Sequence, residues 1–201
     1  MRKLLVVLVV TLAFGMTAFA QDAPRFEVFG GYQYTNLDVD ELNQAAQDFL
    51  GTTVDKKRFN LNGWNAAATA YFSDNFGITA DFSGAYGSPD VTFAGIGTAN
   101  LDSTVHTYMF GPTLRVPGER STVFARALFG GAKGKFEDPS GAGLAADDSG
   151  FAMALGGGFD VNMNPNFAIR VAQFDYLYTK LFDTDDHQNN FRYSGGVVFR
   201  F

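Results

Sequence analysis

Acid–base chemistry needs a proton carrier beside a group that orients it, and the 201-residue sequence offers one such run, Asp183-Thr184-Asp185-Asp186-His187. A histidine oriented by a carboxylate activates water or a hydroxyl. Adjacent residues on an extended chain point to opposite faces, however, so adjacency alone does not make Asp186 and His187 a dyad. His106 is the only other histidine and stands far away in sequence. No catalytic residue is assigned, and the chain reads as non-enzymatic. The same run offers carboxylate oxygens of the kind Ca²⁺ prefers, but without the fixed spacing of a calcium loop. It reads as a solvated acidic loop, with no metal and no cofactor. Cysteine is absent, which removes thiolate nucleophiles, thiolate metal sites, disulfides and a lipidated N-terminal Cys. Gly130-Gly131 and Gly156-Gly157-Gly158 fall within apparent strands, where glycine eases bending and close packing rather than cradling phosphate. A net charge of −6 argues against a nucleic-acid binder, which carries a basic patch.

The first twenty residues read as an address. Arg2 and Lys3 precede an apolar stretch from Leu4 to Phe14, then Ala18-Phe19-Ala20 supplies the small-x-small pattern read by a signal peptidase. The apolar stretch is too short for a membrane helix, which needs about 20 residues. Cleavage between Ala20 and Gln21 divides the chain into a removed signal, 1–20, and one mature domain, 21–201. Losing Arg2 and Lys3 leaves that domain more acidic than the whole.

Beyond residue 20 the apolar residues recur at period two. Phe191, Tyr193, Gly195, Val197, Phe199 and Phe201 share one face, while Arg192, Ser194, Gly196, Val198 and Arg200 share the other. Phe26, Val28, Gly30, Tyr32 and Tyr34 alternate in the same way with Glu27, Phe29, Gly31, Gln33 and Thr35. About eight such strands are expected, near 25–35, 61–72, 76–87, 104–115, 122–133, 150–161, 167–178 and 190–201. Their length suits a tilted strand crossing a bilayer core. Short turns near 73–75, 116–121 and 162–166 alternate with long polar stretches near 36–58, 88–103, 134–149 and 179–189. Within the first long stretch Leu42, Ala45, Ala46, Phe49 and Leu50 keep helical spacing. The fold class expected is all-β: an eight-stranded antiparallel up-and-down transmembrane β-barrel with short periplasmic turns and long outer loops.

A soluble barrel with its apolar face inward is the rival. An eight-stranded interior is only just wide enough for side chains to fill, and suits small and paired polar groups better than rows of Phe and Tyr. Turning the charged face to lipid would also cost up to several kcal/mol per residue near the midplane. The charged face is therefore the inner one. It carries Glu27, Asp81, Arg115, Arg126, Asp160, Arg170, Arg192 and Arg200 as a lumen network. Closure makes the first and last strands neighbours, so Glu27 is expected to pair with Arg200 near the periplasmic rim. Asp160 and Arg170 are expected to pair diagonally across one short turn. Asp81, Arg126 and Arg115 are assigned to a mid-to-lower layer and Arg192 to a higher one. Such charges either form a packed plug or line a narrow water path; the plug is favoured, with a narrow channel for small solutes or hydrophobic compounds as the alternative.

The final residues, Ser194-Gly195-Gly196-Val197-Val198-Phe199-Arg200-Phe201, resemble the outer-membrane assembly signal through a polar Ser194, Gly196 and the aromatics Phe199 and Phe201. That resemblance implies insertion by the β-barrel assembly machinery into a Gram-negative-type outer membrane. Gly63-Trp64-Asn65-Ala66, Phe76-Gly77-Ile78-Thr79-Ala80-Asp81-Phe82, Phe110-Gly111-Pro112 and Asp175-Tyr176 extend it. Residues 21–201 look like the small eight-stranded barrels of the OmpA-type transmembrane, OmpX and opacity-protein group, and most like the outer membrane protein beta-barrel domain family. The resemblance implies a monomer whose partners are outer-membrane lipid and lipopolysaccharide, with no nucleic acid. Its role would be membrane integrity or surface interaction through acidic outer loops.

Overall fold

Alternation at period two becomes a closed antiparallel ladder in the computed structural model, which describes residues 25–38, 58–88, 90–93, 97–100, 102–137, 145–180 and 188–201. Ala18, Ala20, Gln21, the helical spacing at 42–50 and the Asp183–His187 run lie outside the described residues. The strands are β1 (Phe26–Asp38), β2 (Arg58–Tyr71), β3 (Phe76–Gly87), β4 (Asp90–Phe93), β5 (Gly97–Asn100), β6 (Asp102–Pro117), β7 (Ser121–Glu137), β8 (Ala145–Asn164), β9 (Phe167–Lys180) and β10 (Gln188–Arg200). Eight of them close in the order β1-β10-β9-β8-β7-β6-β3-β2, while β4 and β5 form a separate hairpin. The order is that of an up-and-down barrel, with β1 sealed against β10 from Glu27↔Arg200 to Asn36↔Phe191.

Each barrel strand has two faces of opposite chemistry. Phe110 is 66% exposed and Phe174 65% on the outer wall, while Asp81 and Arg192 on the inner wall are 0% and 1% exposed. In a membrane the outer rows meet acyl chains, so these exposed aromatics are solvated by lipid and the carboxylates and guanidiniums are kept from it. Tyr32, Trp64, Tyr86, Tyr108 and Tyr176 are exposed on the outer wall, amphipathic rings of the kind that suit the headgroup level.

The strands run longer than the sequence implied. β8 alone has 20 residues, roughly 65 Å of contour at about 3.3 Å per residue. A tilted strand of that length overshoots an apolar band about 25 Å tall. The outer face accordingly turns from Phe129 and Phe151 to the exposed Lys133, Lys135 and Ser149. The stretches 134–137 and 145–149, expected as loop, continue the β7–β8 ladder up to Glu137↔Ala145. The stretch expected as a second outer loop carries the β4–β5 hairpin, paired from Asp90↔Asn100 to Phe93↔Gly97. Ladder hydrogen bonds need only a partner strand, so pairing does not stop where lipid stops.

Candidate functional site in the barrel lumen

Inward-facing charges collect in two tiers. In the periplasmic tier Glu27 accepts hydrogen bonds from Arg115 Nη1 at 2.7 Å, Arg200 Nε at 2.9 Å and the Tyr71 hydroxyl at 3.3 Å. Arg170 forks onto Asp160, Nε to Oδ1 at 2.8 Å and Nη2 to Oδ2 at 3.1 Å. Arg200 reaches the same carboxylate at 3.3 Å and donates to Asn162 Oδ1 at 2.6 Å. Aromatic faces complete the tier. The Arg115 guanidinium lies 3.6 Å from the Tyr71 ring centre, and that of Arg170 lies between Phe124 at 4.0 Å and Phe29 at 4.5 Å. A desolvated guanidinium over a ring gains about 2 kcal/mol of cation–π attraction.

The second tier is a closed lattice. Arg126 forks onto Asp175 with Nε–Oδ1 at 3.0 Å and Nη2–Oδ2 at 2.8 Å, and gives Nη1 to Asp81 Oδ2 at 3.0 Å. Arg192 bridges the same two carboxylates, Nη1 to Asp81 Oδ1 and Nε to Asp175 Oδ2, each at 3.0 Å. Asn65 donates to Asp81 at 3.0 Å. Gln173 ties the tiers together, accepting from Arg170 at 2.9 Å and donating to Asp175 at 2.9 Å. The lattice holds two guanidiniums against two carboxylates, all 0–3% exposed. Charges so deeply buried persist only when paired and hydrogen-bonded.

Glu27 and Arg200 meet as expected of closure. Asp160 and Arg170 meet by standing directly opposite in the β8–β9 register rather than diagonally. Arg192 is not in a higher layer of its own, and Arg115 belongs to the periplasmic tier. Counting along strands misjudged these heights because barrel strands tilt and their register is sheared. Arg192↔Asp175, Asp175↔Gly156 and Gly156↔Arg126 are successive partners across β10, β9, β8 and β7, a single row that climbs round the barrel.

Asp175 and Gln173 are central to the site and were not among the residues expected there. Arg170 and Gln173 both face inward although three apart, which strict alternation forbids. The explanation is one extra residue in β9: Asp160↔Arg170 is followed by Phe159↔Ala172, and Gly196↔Arg170 by Ser194↔Gln173. The bulge leaves Val171 on the outer wall, 51% exposed, and resets the parity beyond it. Gly156 is the other unexpected member. A Cβ there would lie 2.3 Å from Asp175 Oδ1, so only glycine lets that carboxylate lie across β8 to meet Arg126.

The lumen is less uniformly polar than anticipated. Met109, Leu128, Ala132, Ala152, Ala154 and Leu177 pack as an apolar cluster on its β6–β9 wall, and Phe29, Ala67, Ala168 and Val198 as a second. A void of about 10 Å³ lies beside the periplasmic tier, lined by Glu27, Thr79, Thr113, Arg126 and Arg170 among others. Another of about 20 Å³ lies on the outer side, lined by Gln33, Thr35, Leu37, Ser83 and Asn190 among others. A water needs about 10–15 Å³, so each void is about the size of one water.

His106 lies outside the barrel. Its Nε2 is 3.1 Å from the Tyr86 hydroxyl, which also accepts from Trp64 Nε1 at 3.3 Å. Gly84 lies beneath this chain, since a Cβ there would come within 2.8 Å of Trp64 Nε1. Among the described residues no group of three His, Cys, Asp or Glu side chains converges as a metal site.

A closed eight-stranded barrel with an aromatic outer wall and a charged, paired interior defines an outer-membrane β-barrel. The chain belongs to the outer membrane protein beta-barrel domain family, whose model matches residues 6–201. The same barrel occurs in Ail, the attachment invasion locus protein of Yersinia pestis, at 22% identity and TM-score 0.58, covering 90% of this chain and 100% of that one. Neisserial surface protein A shares it at 11% identity and TM-score 0.62, over 90% and 100% of the two chains. OprG of Pseudomonas aeruginosa shares it at 16% identity and TM-score 0.52, over 90% and 97%. At these identities the likeness is one of fold. No curated protein matches the chain. As a member of this family the protein resides in the outer membrane, in contact with its lipid.

Proposed function

We propose that the protein is a monomeric, non-enzymatic barrel whose lumen is plugged, and that it serves membrane integrity or surface interaction through acidic outer loops. The carrying observation is the lattice of Arg126, Arg192, Asp81 and Asp175, in which each guanidinium bridges both carboxylates. Opening a path would break several charge-assisted hydrogen bonds at once, worth about 1.5–3 kcal/mol each. The periplasmic tier of Glu27, Arg115, Asp160, Arg170 and Arg200 supports the same reading as a second layer of plug. We carry surface interaction over from the likeness to a barrel named for attachment and invasion.

Residues 1–20 act as an export signal removed after Ala20. The terminal pattern of Ser194, Gly196, Phe199 and Phe201 is read by the β-barrel assembly machinery, and lipopolysaccharide surrounds the outer half of the wall. Planar-bilayer recording tests the plug. Folded protein in excess leaves the bilayer electrically silent; discrete conductance steps that change when Arg126 or Arg170 is neutralised would replace this reading with a narrow channel.

A further inference from the structure

Among the described residues, four buried side-chain polar atoms have no hydrogen-bond partner in the protein: Gln33 Oε1, Thr35 Oγ1, Arg192 Nη2 and Ser194 Oγ. They are not scattered. Gln33 faces Ser194 and Thr35 faces Arg192 across β1 and β10. Residues two apart on a strand share a face, so the four side chains form one rectangle on the inner wall. None of them is more than 5% exposed. The rest of the interior does not share this lack; the Thr69, Thr79 and Thr113 hydroxyls, for instance, satisfy one another at 2.7 and 2.6 Å.

The chemistry of the rectangle restricts its occupant. Arg192 Nη2 only donates, Gln33 Oε1 only accepts, and the two hydroxyls do both. An anion leaves Gln33 Oε1 unanswered, a cation is repelled by Arg192, and an apolar molecule satisfies nothing. A small amphoteric molecule satisfies all four. Gln33 and Thr35 also line the outer void of about 20 Å³, which has room for a water and for nothing larger.

We propose that Gln33, Thr35, Arg192 and Ser194 form an ordered-water site on the closing seam of the barrel. Water accepts from Arg192 Nη2, donates to Gln33 Oε1 and bridges the hydroxyls of Thr35 and Ser194. Arg192 Nε and Nη1 are already held by Asp175 and Asp81, so water completes the guanidinium's hydrogen bonding on its third nitrogen. An ordered water thereby sits on the outer side of the ion lattice, held by the third nitrogen of Arg192.

Water-edited solid-state NMR of the folded full-length protein in lipid tests this directly. Polarisation from water reaches Thr35 and Ser194 several-fold faster than it reaches Ala152 and Ala154 of the buried apolar cluster. Thr35→Val, which keeps shape and removes the hydroxyl, lowers the urea midpoint, because a satisfied group is lost. Build-up at Thr35 and Ser194 no faster than at Ala152 and Ala154 overturns the proposal. So does a Thr35→Val midpoint that rises, since deleting a dry orphaned hydroxyl relieves its desolvation penalty.

Discussion

Replacing Arg126 by methionine measures what the lattice contributes. Arg126 makes three hydrogen bonds, two to Asp175 and one to Asp81. Methionine keeps most of the stem and removes the charge, leaving two buried carboxylates facing Arg192 alone. Breaking a buried pair from one side costs about 3–5 kcal/mol. With a urea slope of about 2 kcal/mol/M, the midpoint falls by roughly 2 M. The protein carries its own reporter, because its one tryptophan, Trp64, sits on the outer wall at 44% exposure, away from the lattice. Urea titration in lipid vesicles read by its fluorescence gives the midpoint. Adding Asp175→Asn to Arg126→Met restores one cation to one carboxylate, Arg192 to Asp81, so the double variant loses less than the sum of the singles by about 0.5–3 kcal/mol. A single substitution costing under about 1 kcal/mol, or strict additivity of the pair, refutes the claim that these residues act as one buried unit.

Gly156→Ala forces Asp175 aside and lowers the urea midpoint nearly as far as Arg126→Met does; a neutral result would mean that the fork does not need the glycine. Deleting Val171 removes the extra residue of the β9 bulge and leaves Arg170, Gln173 and Asp175 all facing inward under plain alternation, so the variant still gives the compact, heat-modifiable band of a folded barrel on detergent gels; loss of that band would mean that the barrel needs the bulge itself. Phe110→Arg places a charge on the lipid wall and destabilises the barrel by about 2–4 kcal/mol if it lies near the midplane. Lys133→Gln, above the apolar band, leaves the midpoint unchanged within about 0.5 kcal/mol, and a comparable loss from both would misplace the membrane boundary. Removing Phe201 slows assembly in reconstituted machinery while leaving detergent refolding intact, and equal yields in the two settings would deny the terminal aromatic its signalling role.

The strands and their facing were legible because each row repeats one chemistry, as Phe191, Tyr193, Val197 and Phe199 do against Arg192, Val198 and Arg200. Two things were not. Height is one: a row of register partners climbs round a sheared barrel, so Arg192 near the outer end shares a lattice with Arg126, although strand counting separates them. Parity beyond a bulge is the other. Nothing in Arg170-Val171-Ala172-Gln173 announces a bulge, and unbroken alternation along all of these residues from Arg170 sends Gln173 and Asp175 outward. The apolar clusters around Leu128 and Phe29 escaped for a simpler reason. Alternation assigns a face, but only packing tells which inward residues fill space and which carry charge.

Glu27 and Arg200 are separated by 173 positions along the chain. A contact between segments so remote is costly to nucleate, and nothing nearby in sequence can substitute for it. Until β10 arrives, Glu27 lacks the Arg200 arm of its clasp and β1 presents an open edge. A barrel that lacks β10 therefore keeps an exposed strand edge along β1, the kind of margin that pairs with other chains. The residues that pin the periplasmic rim thus also mark the moment at which the barrel closes.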